Sequence, residues 1–196
     1  MYSELINHIE DHPSVKIENE VKEAMNSPRY KIFYEVLLRL DESILYKSYI
    51  HGVKHIERVC FMALILSNKL DLSEDDTKIL LTACAYHDIG RKNEFVDAEH
   101  GRRAAEKLDR YVDCDGDDLR ILKAAIEAHS ISDARMSEII DKYDVDNVER
   151  ALQITRVLKD ADALDRVRIH DLNTKYLRFE ASLELVDFAH DLFSVY

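Results

Sequence analysis

Residues 85–91 of the chain read Ala-Tyr-His-Asp-Ile-Gly-Arg. His87 and Asp88 end an apolar run that begins at Ile79, and such a run is typical of a buried helix. Imidazole and carboxylate groups are both good ligands for a divalent metal. Gly90 predicts the end of this helix, with the glycine in the left-handed conformation. Taken alone, the pair is more often a helix-terminal histidine beside a solvated aspartate than a metal site, so its meaning depends on the rest of the chain.

The composition favours helices. The chain has 196 residues, with only four Gly, two Pro and no Trp. That length is enough for one domain with a sizeable core, and residues with high helix propensity dominate it. We therefore expect an all-α protein. The formal net charge of −12 argues against a long nucleic acid as a partner, because duplex binding rests on Lys and Arg neutralising phosphates.

The three cysteines are odd in number and form no Cys-x-x-Cys motif. Cys60 and Cys84 lie in apolar runs, so we expect buried, reduced thiols and a reducing compartment. No run reaches the roughly 18 apolar residues of a membrane span, and no basic region followed by an apolar one opens the chain. The expectation is a cytoplasmic protein without a membrane partner.

Four further motifs accompany the His-Asp pair. His55 begins the sequence His-Ile-Glu-Arg-Val, His100 lies in Glu-His-Gly, and His129 lies in Glu-Ala-His-Ser. Residues 159–166 read Lys-Asp-Ala-Asp-Ala-Leu-Asp-Arg. This ordered series, a histidine, the His-Asp pair, two more histidines and a final aspartate, resembles the HD-domain metal-dependent phosphohydrolase superfamily. The resemblance covers residues 52–169.

The resemblance implies a fold and a set of ligands. The fold would be an HD-domain helical bundle with the metal site in its core. The cofactor would be one or two divalent ions per chain, chosen among Mn, Fe, Ni, Co, Zn and Mg. His100 and His129 would bind a second ion or take part in catalysis together with Asp88. The primary metal ligands would be His55, His87, Asp88 and Asp162.

Several charged side chains near these motifs have expected supporting roles. Arginine offers phosphate a bidentate fork and lysine a point charge, although a solvated loop is an equally good interpretation of the two basic residues after Gly90. The expected phosphate-binding residues are Arg91, Lys92, Arg102, Arg103 and Arg166. Four further residues are expected to contact the metal ligands without binding the metal: His51, Arg58, Asp160 and Asp165. Of these, Arg58 is expected to form a structural ion pair.

The two extra histidines have different expected charges. His100 falls near the start of one predicted helix, and His129 falls at the end of another. The positive end of a helix disfavours an imidazolium and the negative end favours it. We therefore expect a neutral His100 that can bind a metal, and a charged His129 that can protonate a leaving oxygen.

Along the chain we expect three parts. Residues 1–50 form a helical extension that packs on the core, residues 51–170 form the HD domain, and residues 171–196 add a turn and a closing helix to the same domain. The predicted helices after the His-Asp pair cover residues 98–108, 117–129, 148–167 and 180–193.

The leading functional hypothesis is hydrolysis of a phosphoester or phosphoanhydride in a small phosphorylated molecule, with a nucleotide as the expected class. The 5′-nucleotidase branch of the superfamily has a glutamate where this chain has Arg91, which argues against a deoxynucleotide monophosphatase. The diadenosine tetraphosphatase and cyclic-dinucleotide phosphodiesterase branches share the histidine layout, but the chain lacks the Gly-Tyr-Pro element of the latter.

Two alternatives stay open. One is a di-iron oxygenase, because the set of four histidines and two aspartates permits two irons. The other is a ligand-sensing module that binds metal without turnover. The sequence gives no expectation for the oligomeric state.

Overall fold

The low glycine and proline content is matched by a structure whose regular elements are helices. A computed structural model describes residues 5, 7–8 and 19–196, and between residues 19 and 196 it forms ten α-helices and no strand. The expected all-α class is confirmed. Most of residues 1–18 of the expected N-terminal helical extension lie outside the described residues. In chain order the helices are α1 (Asn19–Asn26), α2 (Pro28–Arg39), α3 (Val53–Lys69), α4 (Glu74–Tyr86), α5 (His100–Lys107), α6 (Gly116–His129), α7 (Met136–Lys142), α8 (Val148–Leu164), α9 (Glu180–Leu183) and α10 (Val186–Val195).

Helix starts follow local sequence signals. The side chain of Ser73 accepts a hydrogen bond from the backbone N–H of Asp76 and caps α4. The side chain of Asn147 caps α8 in the same way, with the backbone N–H of Arg150 as donor. Pro28 occupies the first position of α2, where its missing N–H costs nothing.

Helix α3 lies at the centre of the fold. Every residue from His55 to Ser67 is buried, so neighbours must enclose this helix on all sides. Helices α1, α2, α4, α8 and α10 pack against it. The ring of Phe61 lies 5.7 Å from that of Phe33 and 6.2 Å from that of Phe188, which fills the apolar half of the core. The first turns of α3 are polar instead, and they face the histidines of other helices.

A second group of helices completes the bundle. Helix α6 packs against α4, α5 and α8, and α7 packs against α6 and α8. This arrangement brings the end of α6 and the start of α5 to the polar end of α3. The residues described here include no helix that is both long and apolar enough to cross a membrane. Cys60 and Cys84 are buried free thiols, as expected.

Three expected helix bounds differ from the structure. Helix α5 begins at His100 rather than at residue 98. Helix α8 ends at Leu164, and Asp165–Ile169 continue as a 3-10 helix, where the buried Arg168 donates to the carbonyl oxygen of Asp165. The single closing helix expected over residues 180–193 is broken into α9 and α10. The break lets α9 pack on α8 while α10 packs on the 3-10 helix.

The expectation for Gly90 is wrong. Among the described residues, those with positive φ are Asp71, Asp144, His170 and Gly116, so Gly90 is not left-handed. A Cβ added at Gly90 would lie 2.0 Å from the carbonyl oxygen of His100 and 2.5 Å from the nitrogen of Ala104. Only glycine allows this approach. Its function is to let α5 pack against the end of α4, which brings His100 beside the His-Asp pair.

Candidate metal centre

Five helices contribute to one polar cluster in the core. His55 lies in the first turn of α3, and His87 and Asp88 directly follow α4. The other members come from the first residue of α5, the last residue of α6 and the last turn of α8. The structure brings all six predicted ligands together. We call them the His–Asp cluster: His55, His87, Asp88, His100, His129 and Asp162.

The first half of the cluster contains the four expected primary ligands. The Nε2 atoms of His55 and His87 lie 3.3 Å apart. Asp162 Oδ1 lies 3.5 Å from His55 Nε2 and 3.9 Å from His87 Nε2. Asp88 Oδ2 lies 3.7 Å from His55 Nε2. Ligand atoms that bind one ion at about 2.0–2.2 Å lie about 3–4 Å from each other, so His55, His87 and Asp162 are spaced for a single ion, and Asp88 borders this group through its contact with His55.

The second half contains the two extra histidines. The Nε2 atoms of His100 and His129 lie 2.8 Å apart. Asp88 Oδ1 lies 3.1 Å from His100 Nε2 and 3.8 Å from His129 Nε2. One carboxylate oxygen of Asp88 therefore faces each half. The same residue can serve two ions.

Hydrogen bonds at Nδ1, the ring nitrogen that faces away from the cluster, fix the orientation of the four imidazoles. His55 Nδ1 lies 2.7 Å from Asp165 Oδ2. The Nδ1 atoms of the other three rings each contact a backbone carbonyl oxygen three residues earlier: 2.7 Å for His87, 2.5 Å for His129, and the carbonyl of Asp97 for His100. Carbonyl and carboxylate oxygens only accept, so each Nδ1 carries the hydrogen. In a neutral ring, Nε2 then presents a lone pair to the cluster, as in metal-bound histidines.

The charge state of His129 is opposite to the expectation from its helix end. Burial is the main cause that lowers its pKa to about 4; Asp88 opposes this shift, and His100 and His87 act in the same direction as burial. Desolvation thus outweighs the helix dipole, and His129 is neutral at neutral pH. Burial also lowers the pKa of His55 to about 4. Both rings are therefore available as ligands.

The aspartate between the two halves stays ionised. Burial raises the pKa of Asp88, but the nearby imidazoles, His87 above all, hold it well below the ordinary value. The cluster thus combines at least one carboxylate charge with imidazole lone pairs. This is the donor set that divalent transition metals prefer.

The cluster fits a cation because protein groups alone do not satisfy it. The Nε2 atoms face each other at 3.3 Å between His55 and His87, and at 2.8 Å between His100 and His129, and neutral rings with the hydrogen on Nδ1 have no hydrogen to share there. Asp88 Oδ1 is buried and has no hydrogen-bond partner in the part of the chain that the structure describes. A buried carboxylate oxygen without a donor is costly. A divalent ion relieves both problems.

Three of the expected supporting residues, Arg58, His51 and Asp165, contact the cluster or a residue that holds one of its imidazoles. Arg58 Nη2 donates to Asp165 Oδ2 at 3.0 Å, and the same oxygen binds His55 Nδ1. Arg58 thus forms the structural ion pair that was expected. His51 Nδ1 lies 3.1 Å from Asp88 Oδ2. Asp160 lies elsewhere, because its carboxylate points away from the cluster and accepts hydrogen bonds from Arg178.

The five basic residues expected to bind phosphate occupy different places. Arg91 lies at the cluster, where its Nε donates to Asp88 Oδ2 at 2.9 Å. Lys92 is exposed in the following loop. Arg102 pairs with Glu99 and Glu106. Arg103 pairs with Asp97 and donates to the carbonyl of Gly90. Arg166 pairs with Asp171.

Two basic residues have a larger part in the structure than the sequence indicated. Arg168 follows the aspartates that end α8. Its buried side chain donates to the carbonyl oxygen of Ile50 at 2.8 Å and lies 3.4 Å from His51 Nδ1. Lys159 carried no expectation, yet its side chain is buried beside the end of α6. Nothing local in the sequence identifies either contact, since the partners are distant in the chain.

Comparison with known proteins agrees with the geometry. A sequence model of the family described as HD domain matches residues 52–167, more than half of the 196-residue chain. The chain therefore belongs to the HD domain family, as the order of its motifs predicted. This family generally contains metal-dependent phosphohydrolases. No curated protein and no solved structure matches the chain.

Proposed function

We propose that the protein is a metal-dependent phosphohydrolase that cleaves a phosphoester or phosphoanhydride bond in a small phosphorylated molecule, with a nucleotide as the preferred class. The observation that carries this proposal is the convergence of imidazole lone pairs and two carboxylates in the order of the HD motifs. Because the lone pairs face each other across the cluster, the protein alone does not satisfy these groups.

The ligand assignment follows from the two halves of the cluster. His55, His87, Asp88 and Asp162 would hold the first ion. His100 and His129 would hold a second ion, with Asp88 shared between the two. When bound, a divalent metal supplies an activated water and polarises the phosphoryl oxygen.

The protein's own groups orient the substrate. The side chain of Asp162 is 28% exposed, while that of Asp88 is 3% exposed, so solvent and substrate reach the cluster from the side of Asp162. Arg91 binds Asp88 through Nε and contacts the carbonyl oxygen of Phe95 through Nη1, which leaves Nη2 able to donate to a phosphate oxygen. The charge of this arginine would stabilise the negative charge that develops on the phosphoryl group.

We assign His129 to metal binding rather than to proton donation. Its Nδ1 is engaged with the carbonyl oxygen of Ile126, and its Nε2 faces His100 inside the cluster. Burial keeps the ring neutral, since the pKa is lowered to about 4. A neutral ring with its remaining lone pair directed at the cluster is a ligand, not an acid.

The test is metal analysis combined with turnover of a substrate panel. The purified protein should contain one or two divalent ions, and it should hydrolyse nucleotides or p-nitrophenyl phosphate when supplied with Mn²⁺, Ni²⁺ or Co²⁺. His87→Ala should remove both metal and turnover. His190→Ala, a change of an exposed histidine on α10, is the matched control and should leave both unchanged. A metal-loaded protein that cleaves none of these esters contradicts the proposal.

One observation also supports the di-iron alternative. Asp88 faces both halves of the cluster, an arrangement suited to two ions of one kind. Two irons per chain, with O₂ consumption on addition of an organic substrate, would favour the oxygenase. Bound metal with neither reaction would favour the sensing module.

A further inference from the structure

Lys159 is a buried lysine that the proposed reaction does not use. It lies on α8, one turn before Asp162, and its side chain is only 6% exposed. An ammonium group is costly to bury unless hydrogen bonds and opposite charges compensate it. The contacts of Lys159 therefore indicate what the fold gains from it.

Those contacts lie at the end of α6. Lys159 Nζ donates to the carbonyl oxygens of Ala128 at 3.1 Å and Ile131 at 2.5 Å. The last carbonyls of a helix lack partners within the helix and carry its negative partial charge, so a cation is favourable there. His129 lies between the two residues whose carbonyls Lys159 holds.

A network of alternating charges holds Lys159 in place. Its Nζ lies 2.9 Å from Asp133 Oδ1. Arg178 donates to both oxygens of Asp133, at 2.7 and 2.9 Å, and to Asp160 Oδ1 at 2.7 Å. The backbone N–H groups of Arg178 and Phe179 donate to Asp160 Oδ2. We call these four residues the Asp133 network: Asp133, Lys159, Asp160 and Arg178.

The network ties together the elements that carry the two halves of the cluster. Asp162 belongs to α8, and His129 is the last residue of α6. The His129 ring is fixed to its own helix through the carbonyl of Ile126, so its position depends on where the last turn of α6 lies. Lys159 connects that turn to α8.

We propose that Lys159 is a positioning residue, which holds the last turn of α6 so that His129 stays at the correct distance from Asp88 and His100 to bind the second ion. The part that concerns the ion rests on the proposed function. The part that concerns the position of His129 does not.

The experiment compares two lysines that both bind α6. Lys159→Met keeps the length of the side chain and removes its charge. Lys142→Met is the matched control, because Lys142 Nζ lies 2.7 Å from Glu127 on the same helix but does not contact its last carbonyls. Titration with Co²⁺, followed by absorbance, measures the affinity of each half.

In Lys159→Met we expect the first ion to bind within about twofold of the wild-type affinity, and the second to bind at least about tenfold more weakly, as is usual when a group that orients a ligand is lost. Lys142→Met should change neither affinity by more than about twofold, even if it lowers the melting temperature. Lys159→Arg, which keeps a cation, should restore part of the second affinity.

A metal-free measurement separates this inference from the proposed function. In the metal-free Lys159→Met protein, the ¹⁵N signals of the His129 ring should shift while those of His55 stay unchanged. Unchanged His129 signals, or equal loss of affinity in both halves, would overturn the inference. If the wild type binds fewer than two ions, the proposed second site fails, and the ring signals alone decide the role of Lys159. If Lys159→Met does not fold, Asp133→Asn weakens the same contact and should give a smaller shift of the same signals.

Discussion

The His–Asp cluster and the Asp133 network are both polar, and both involve α8, yet they are completed in different ways. In the Asp133 network all four carboxylate oxygens of Asp133 and Asp160 accept hydrogen bonds from Lys159, from Arg178 or from the backbone. In the cluster, Asp88 Oδ1 has no donor among the described residues, and imidazole lone pairs face each other. Residues of the two sets lie two positions apart on the helix, at Asp160 and Asp162.

The difference teaches how to separate a structural polar cluster from a ligand site. A set of buried charges that protein donors and acceptors complete needs nothing else and serves stability or position. A set whose unsatisfied atoms all have the same sign requires a group of opposite charge from outside. Residue types alone do not show this, because both sets are rich in aspartate. The pairing of individual atoms does.

The largest expected effect comes from removing the shared carboxylate of the cluster. Asp88→Ala should lower turnover at least about 10³-fold, because Asp88 is the proposed ligand of both ions, and the metal would supply the activated water. Metal content should fall in the same protein. The melting temperature of the wild type should drop when a chelator is added, and that of Asp88→Ala should not respond. A variant that keeps its full metal content would show that Asp88 is not the shared ligand.

The matched change in the network should act on stability instead. Asp160→Ala leaves the guanidinium of Arg178 without one of its two carboxylates, and the side chain of Asp160 is fully buried. Breaking a buried pair typically costs about 3–5 kcal/mol. Urea unfolding should show this loss both with and without chelator, while the first ion binds as in the wild type. Loss of the first ion in Asp160→Ala would mean that the two sets are not separate.

Acid should also distinguish the two sets in the metal-free protein. The pKa of His55 and that of His129 are lowered to about 4 from the ordinary value of 6.5, chiefly by burial. Between these values the unfolded chain binds more protons than the folded one, so stability is full above about pH 6.5 and falls as the pH drops towards 4. A shift of this size in one histidine corresponds to about 3 kcal/mol.

The Asp133 network should not respond in that pH range. Burial raises the pKa of Asp133, but hydrogen bonds from Arg178 and Lys159 outweigh it and lower the pKa below its ordinary value. Its contribution to stability is therefore lost only at lower pH. Urea unfolding of the chelator-treated protein at a series of pH values measures how the free energy of unfolding changes with pH. His129→Gln should remove the part of this pH dependence that His129 causes. A flat profile from pH 7 to 4 would contradict the neutral, buried state of these rings.

The sequence predicted the cluster better than the network, for a physical reason. Metal ligands can be recognised in a sequence by their residue types and their order, and apolar periodicity places them at helix ends. The six predicted residues do lie together in the structure. The hydrogen bonds of the network join residues such as Asp133 and Arg178, 45 positions apart, and no local pattern marks them. The expected role of Asp160 was misplaced for this reason.

Two features that the sequence predicted wrongly, the charge of His129 and the role of Gly90, depend on tertiary packing. The charge of His129 depends on how far the fold removes it from water, which outweighs the helix end visible in the sequence. Gly90 was expected to be needed for its backbone angles, but it is needed for the close approach of α5. Both outcomes require knowing which helices meet, and periodicity shows only that a face is apolar.

The smallest expected effect concerns the arginines proposed to bind phosphate. Arg102 resembles the network, because Glu99 and Glu106 on the same stretch of chain already neutralise it, and its side chain is 42% exposed. Arg91 belongs to the open cluster and donates to Asp88. We therefore expect Arg102→Gln to change KM for p-nitrophenyl phosphate by less than about twofold, since exposed ion pairs contribute little. Arg91→Gln should raise it about tenfold, the usual loss for a charged hydrogen bond. Steady-state kinetics on the two variants gives both ratios, and an Arg102 effect equal to that of Arg91 would show that substrate reaches beyond the cluster to α5.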